Sequence, residues 1–150
     1  MALFDGINAS ASALTAQRLR MDVTSANVAN ADSTRGTLVD GEWEPYRRKM
    51  VAFEPQENFS SHLSQAMKKG STDQGGVNVR TIQDDTTPFR EVYQPEHPEA
   101  NEEGYVQLPN VDPLKEMVNM MGATRSYEAN VTTMNATKNM MLKALEIARN

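Results

Sequence analysis

Apolar side chains recur at every seventh position through the first thirty residues: Ile7, Leu14, Met21 and Val28. Ala11 and Ser25 stand four residues after Ile7 and Met21, and Arg18 interrupts that companion row. A seven-residue repeat of this kind predicts a helix with a narrow seam of coiled-coil type. A second repeat runs through the last quarter of the chain. Met120, Tyr127, Met134, Met141 and Ala148 are seven apart, and Met117, Val131 and Leu145 fill a companion position that Thr124 and Lys138 weaken. "NVDPLKE" opens this stretch. Asp112 is suited to accept from the first free backbone N–H groups, and Pro113 at the first helical position gives up no intrahelical bond. No proline follows it. The spacing predicts a helix of roughly 25 residues, roughly 38 Å long, within 1–30, and one of roughly 55 Å over 113–150. Gly122 costs the second on the order of 1 kcal/mol.

Between these segments the pattern alternates. "YRRKMVAFE" (46–54), "GVNVRTIQD" (76–84), "PFREVYQ" (88–94) and "GYVQLP" (104–109) read as strands. "STDQGG", "DDTTP" and "PEHPEANEEG" read as turns or loops, and "SSHLSQAMKK" (60–69) as a short helix. The expected fold is mainly α with a small β domain. Its two terminal helices, 1–30 and 113–150, pack as a coiled-coil-like antiparallel pair around a central antiparallel β-rich segment, 31–112. Each helix has one thin stripe and no core of its own. The ends therefore cover each other, and their remaining small and apolar residues face other molecules. Methionine fills irregular gaps at such contacts. Asn27 and Asn30 stand where the first helix hands its chain to a loop, and they are candidates for polar contacts there.

Composition narrows the chemistry. The chain has 150 residues, a net charge of −5 and no cysteine. Residues 31–112 hold 15 acids against 8 bases, while 113–150 hold 3 against 5. An acidic chain argues against nucleic acid as partner. The missing thiols exclude disulfides and thiolate metal or redox chemistry. No apolar run approaches the roughly 20 residues that span a bilayer. "MALFDGINAS" has neither the basic nor the apolar region of a Sec-type signal, so no cleaved signal peptide is expected. His62 and His97 are the only histidines. His97 sits among Glu96, Glu99, Glu102 and Glu103, but the spacing matches no zinc pattern, and a solvated acidic loop is the reading. "DDTT" lacks the spacing of a calcium loop, and "GSTDQGG" lacks the Lys-Ser/Thr ending of a phosphate loop. No catalytic residue, metal ligand or cofactor is expected.

"SANVANADSTRGT" resembles the signature of the bacterial flagellar axial proteins, the rod and hook proteins. Asn27, Val28, Ala29, Asn30, Thr34 and Gly36 fit it, and Arg35 stands where proline is common. "PYRRKMVAFEP" (45–55), "HPEANEEGYVQLPNVD" (97–112) and residues 116–149 extend the likeness over nearly the whole chain, at the length of the short proximal-rod members. The resemblance implies a non-enzymatic subunit that stacks helically into the drive shaft carrying torque from motor to hook. It implies export through the flagellar type III apparatus without a cleaved signal peptide, and residence in the basal-body rod within the cell envelope. The terminal helices would form the inner tube and the middle the outer layer. The partners implied are further copies, other proximal and distal rod proteins, the basal-body adaptor at the rod base and the export apparatus. Nucleic acid and small-molecule substrates are not among them. The assembly contacts are expected at Ile7, Leu14, Met21, Asn27, Val28, Asn30, Met117, Tyr127, Val131, Met134, Met141 and Leu145. Two rival readings use the same residues differently: a cytoplasmic coiled-coil adaptor, and a metal-dependent hydrolase at the His97 loop.

Overall fold

A computed structural model describes residues 2–56, 66–67 and 75–149. Two long helices frame the chain: α1, Ala2–Ala29, and α2, Pro113–Arg149. The start of α2 follows from its sequence. Asp112 Oδ1 accepts from the backbone N–H groups of Leu114 at 2.9 Å and Lys115 at 3.3 Å. Such a cap contributes about 1 kcal/mol. The end of α1 is closed by Asn30, whose Nδ2 donates to the Ala26 carbonyl at 2.8 Å while its backbone N–H reaches the same oxygen at 3.1 Å.

Six strands lie between the helices: β1 Thr37–Val39, β2 Glu42–Glu44, β3 Lys49–Pro55, β4 Val77–Asp84, β5 Arg90–Tyr93 and β6 Tyr105–Leu108. All four expected strands are present with trimmed ends. Among the described residues the strands pair as three two-stranded sheets, β1–β2, β3–β4 and β5–β6. The ladder between β3 and β4 is prolonged at one end by Gln56 N–H to Gly76 O and at the other by Asp85 N–H to Arg48 O, both at 2.8 Å. In β5–β6, Arg90 faces Leu108 and Tyr93 faces Tyr105, whose rings meet edge to face at 5.4 Å.

The hairpin β1–β2 was not expected from the alternation. Its turn is Asp40-Gly41, with φ of 51° and 91°. Two left-handed residues in succession give the turn whose twist matches antiparallel strands, and Gly takes that conformation without steric cost. The proposed short helix over 60–69 lies outside the described residues, apart from Ala66 and Met67. His62 lies outside them too.

The chain forms two compact units. One gathers Met1–Leu19, Ala52–Thr81 and Ala123–Asn150. In it Ser10, Ala16 and Ala123 are buried, and the Ser12 hydroxyl accepts from the Val77 N–H at 3.0 Å. The other gathers Arg20–Val51 and Ile82–Gly122. It buries Thr24, Asn27, Ala31, Val106, Val111 and Glu116.

The heptad rows need one correction. Ile7, Leu14, Met21 and Val28 are half-buried, as are Met120, Tyr127, Met134 and Met141. The companion rows lie one residue earlier than the hydrophobic pattern placed them. In α1 they are Ser10, Gln17 and Thr24, while Ala11 and Ser25 are exposed. In α2 they are Glu116, Ala123, Asn130 and Thr137, with Met117 and Leu145 exposed. In these rows Thr24, Asn130 and Thr137 find partners within their own helix, whereas Gln17 Oε1 is buried without one among the described residues. Thr24 Oγ1 donates to the Arg20 carbonyl at 2.7 Å, and Thr137 Oγ1 to that of Thr133 at 3.0 Å. Such back-bonding satisfies a hydroxyl within its own helix. Among the described residues no helix is long and apolar enough to cross a membrane.

Candidate functional site

Where α1 ends and α2 begins, a buried polar junction ties four segments of the chain together. Asn27 is its centre and is 1% exposed. Its Nδ2 donates to the Lys49 carbonyl at 2.8 Å and to Glu116 Oε2 at 3.0 Å. Its Oδ1 accepts from the Tyr46 hydroxyl at 3.0 Å and from the Lys49 N–H at 2.9 Å. An amide side chain has two donor hydrogens and two acceptor lone pairs, and all four are used. Toward Lys49 the amide behaves as a neighbouring strand would, meeting both N–H and C=O of the first residue of β3.

Glu116 enters from the first turn of α2 and is also 1% exposed. Its Oε1 accepts from Arg48 Nε at 2.9 Å and Nη2 at 2.7 Å, and from Asn119 Nδ2 at 3.1 Å. Arg48 Nη1 continues to Asp85 Oδ2 at 3.1 Å. Asn110 closes the ring. Its Oδ1 accepts from the Arg48 N–H at 2.8 Å, and its Nδ2 donates to the carbonyls of Asp85 and Thr87. A buried carboxylate is tolerated only when paired and hydrogen-bonded, and Glu116 meets both conditions.

The electrostatics follow from these contacts. Burial works to lower Arg48, but its hydrogen bonds to Glu116 and Asp85 outweigh that and raise it above its ordinary value. The Thr87 backbone N–H, with the Thr87 hydroxyl and Arg48 behind it, holds the Asp85 carboxyl below the usual range. Burial, then the charges of Asp84 and Glu116, push the Tyr46 phenol up. The hydroxyl therefore keeps the proton it donates to Asn27. The Arg48 and Asp85 charges are thus each favoured by their hydrogen-bond partners. The arrangement fixes geometry.

The turn after α1 completes the junction. Tyr46 N–H donates to the Ser33 carbonyl at 3.1 Å and Gly36 N–H to the Glu44 carbonyl at 2.8 Å. Gly36 is pressed so closely on this segment that a Cβ there would lie 2.6 Å from Tyr46 Cα and N. Arg35 pairs with Glu99, and the Thr34 hydroxyl followed by Arg35 holds that carboxyl below its usual range. His97 is occupied locally: its Nδ1 accepts from the Glu99 N–H at 3.2 Å.

Of the twelve residues named from sequence for assembly, the junction gathers only Asn27. Its hydrogen-bonding capacity is filled within the chain. Asn30 caps its own helix. Ile7, Leu14, Met21, Val28, Tyr127, Val131, Met134 and Met141 are half-buried, and Met117 and Leu145 are 49% and 67% exposed. The sequence reading passed over Glu116, Arg48, Tyr46, Asp85 and Asn110. A glutamate seven residues before Ala123 in an inward row was the one available sign.

Known proteins carry the same chain pattern. The family model described as "Flagella basal body rod protein" matches residues 7–36, which include Asn27, Asn30 and Gly36. The one described as "Flagellar basal body rod FlgEFG protein C-terminal" matches residues 102–147, which include Glu116. Both descriptions define one class, the proteins of the flagellar basal-body rod.

Full-length relatives sharpen this. The chain is 58% identical over 150 residues to the flagellar basal-body rod protein FlgC of Bacillus subtilis, covering 99% of this chain and 100% of the relative. It is 43% identical over 149 residues to the FlgC of Yersinia enterocolitica, with coverage of 99% and 100%. It is 42% identical over 154 residues to that of Borreliella burgdorferi, with 98% of each covered. The chain belongs to the FlgC family and is a structural subunit of the bacterial flagellar basal-body rod.

Proposed function

We propose that copies of this chain stack helically in the proximal rod and transmit torque by packing. In this reading α1 and α2 form an antiparallel, coiled-coil-like pair in the axial core, from 1–30 and 113–150. Residues 31–112 form the outer layer. Its contacts are further copies, other proximal and distal rod proteins and the basal-body adaptor at the rod base. The chain reaches that place through the flagellar type III export apparatus with its N-terminus uncleaved. The expected assembly positions Ile7, Leu14, Met21, Val28, Tyr127, Val131, Met134 and Met141 line the helix pair. Met117 and Leu145 face neighbouring subunits.

The observation that carries this is the exposed face of the first turns of α2. Leu114, Met117, Val118 and Met121 are between 49% and 70% exposed. A monomer in water rarely leaves so much aligned apolar surface uncovered. In this reading neighbouring rod subunits cover it, and membership of a rod-protein family supports that.

The test replaces Val118 by Asp. The side chain is 57% exposed, so the free chain should unfold at the wild-type temperature. Cells carrying it should lack completed rods and should not swim. Normal swimming, or recovery of the wild-type chain only from the cytosol and never from isolated basal bodies, would overturn the reading.

A further inference from the structure

A cleft of about 380 Å³ opens in the unit that holds the junction, and its lining includes Trp43, Tyr105, Glu91, Glu99 and Asn101. Trp43, on β2, is the only tryptophan of the chain and is 55% exposed. Tyr105 is 41% exposed. Leu38, the cross-strand partner of Trp43, is 59% exposed. The one indole therefore lies at the surface beside carboxylates, although the unit has a core that could have used it.

Three arginines of this unit already have partners. Arg48 is held by Glu116 and Asp85, and Arg35 by Glu99. The Arg47 guanidinium lies 4.3 Å from the centre of the Phe89 ring. Glu91 is exposed, and its carboxylate takes no hydrogen bond or ion pair among the described residues. An exposed indole face attracts a cation through its quadrupole. A planar guanidinium can stack on such a face while its N–H fork meets a carboxylate. Arg47 on Phe89 and Arg35 on Glu99 show each half of that recognition within this unit. Within this unit, residues 31–51 and 82–112 hold 12 acids against 5 bases, which raises the local concentration of cations.

We infer that this cleft receives an arginine side chain presented by a neighbouring rod subunit, stacked on Trp43 and paired with Glu91. The inference rests on the rod reading above and adds the chemistry of one contact. A sugar would also find an aromatic platform beside carboxylates. The acidic surroundings favour the cation.

The test uses the full chain in cells lacking their own copy. Glu91→Arg reverses the charge at an exposed strand position, so the purified variant should unfold at the wild-type temperature. Its cells should lose swimming. Trp43→Phe should retain more swimming than Trp43→Ala. Revertants selected from Glu91→Arg should carry replacements of an arginine in a rod subunit by a neutral or acidic residue. Three results would overturn the cleft: wild-type swimming of Glu91→Arg, revertants that never alter an arginine of a rod subunit, or saturable quenching of Trp43 fluorescence by an N-acetylglucosamine trisaccharide. If the wild-type chain is absent from isolated basal bodies, the rod reading and the cleft fall together. If it is present there, those results remove the cleft alone.

Discussion

Asn27 and Glu116 are 89 positions apart in the chain, yet the Asn27 amide donates to the Glu116 carboxylate at 3.0 Å with both side chains buried. The last turn of one helix is thereby fixed to the first turn of the other.

Removing the carboxylate should be expensive. Glu116→Ala leaves Arg48 partly buried with only Asp85 as counter-ion, and leaves one Asn27 donor empty. Breaking such a pair costs about 3–5 kcal/mol, and urea unfolding of the purified chain measures it. Asn27→Asp keeps the shape but turns a donor into a charge facing Glu116 and the Lys49 carbonyl. It should be more destabilising at neutral pH than at pH values where the new carboxyl protonates. A loss below about 1 kcal/mol in both variants, the worth of an ordinary hydrogen bond, would show that the junction is not a structural centre.

Two glycines make a contrasting pair. A Cβ at Gly36 would meet backbone at 2.6 Å, whereas at Gly122 nothing lies within 4 Å. Gly36→Ala must push the Pro45–Tyr46 backbone away, so it should lower the unfolding midpoint and abolish swimming. Gly122→Ala sits in an exposed helix interior and should stabilise by about 0.5–1 kcal/mol. Thermal unfolding of both variants checks the pair. A destabilising Gly122→Ala would mean that the free space at that position is needed.

Acid should weaken the unit around the junction. The Asp85 carboxyl is held low chiefly by the Thr87 backbone N–H, and that of Glu99 by the Thr34 hydroxyl and Arg35. A carboxyl with a lowered folded value protonates first in the unfolded chain. Its contribution is complete above the ordinary carboxylate value, about 4, and is lost as pH falls through the lowered folded value. The unfolding midpoint should therefore drop as pH falls below about 5. Asp85→Asn should start lower at neutral pH and show a flatter decline. Parallel profiles for the two chains would remove Asp85 from the account.

Much of this architecture was legible along the chain, for identifiable reasons. The helices announced themselves through the seven-residue rows, and Asp112-Pro113 marked the start of α2. The companion rows did not, because Ser10, Thr24, Glu116 and Asn130 are polar and a hydrophobic pattern assigns such residues to solvent. Asn27 was singled out, but its partners were not. Two segments, 46–49 and the first turn of α2, reach it from 19 to 89 positions away, and local spacing carries no record of that. Arg48 was read only as part of the strand over 46–54, since a lone arginine gives no sign that a glutamate 68 positions away will hold it. The Asp40-Gly41 hairpin carried a usable signal in its dipeptide. Its strands of three residues each were too short to show alternation.

The most direct measurement is an electron cryomicroscopy map of the isolated rod at side-chain resolution. The account predicts α1 and α2 side by side and antiparallel in the inner wall, residues 31–112 outside them, and the Asn27 amide still bonded to Glu116. Helices lying apart in the outer layer, or an inner wall built from residues 31–112, would contradict it.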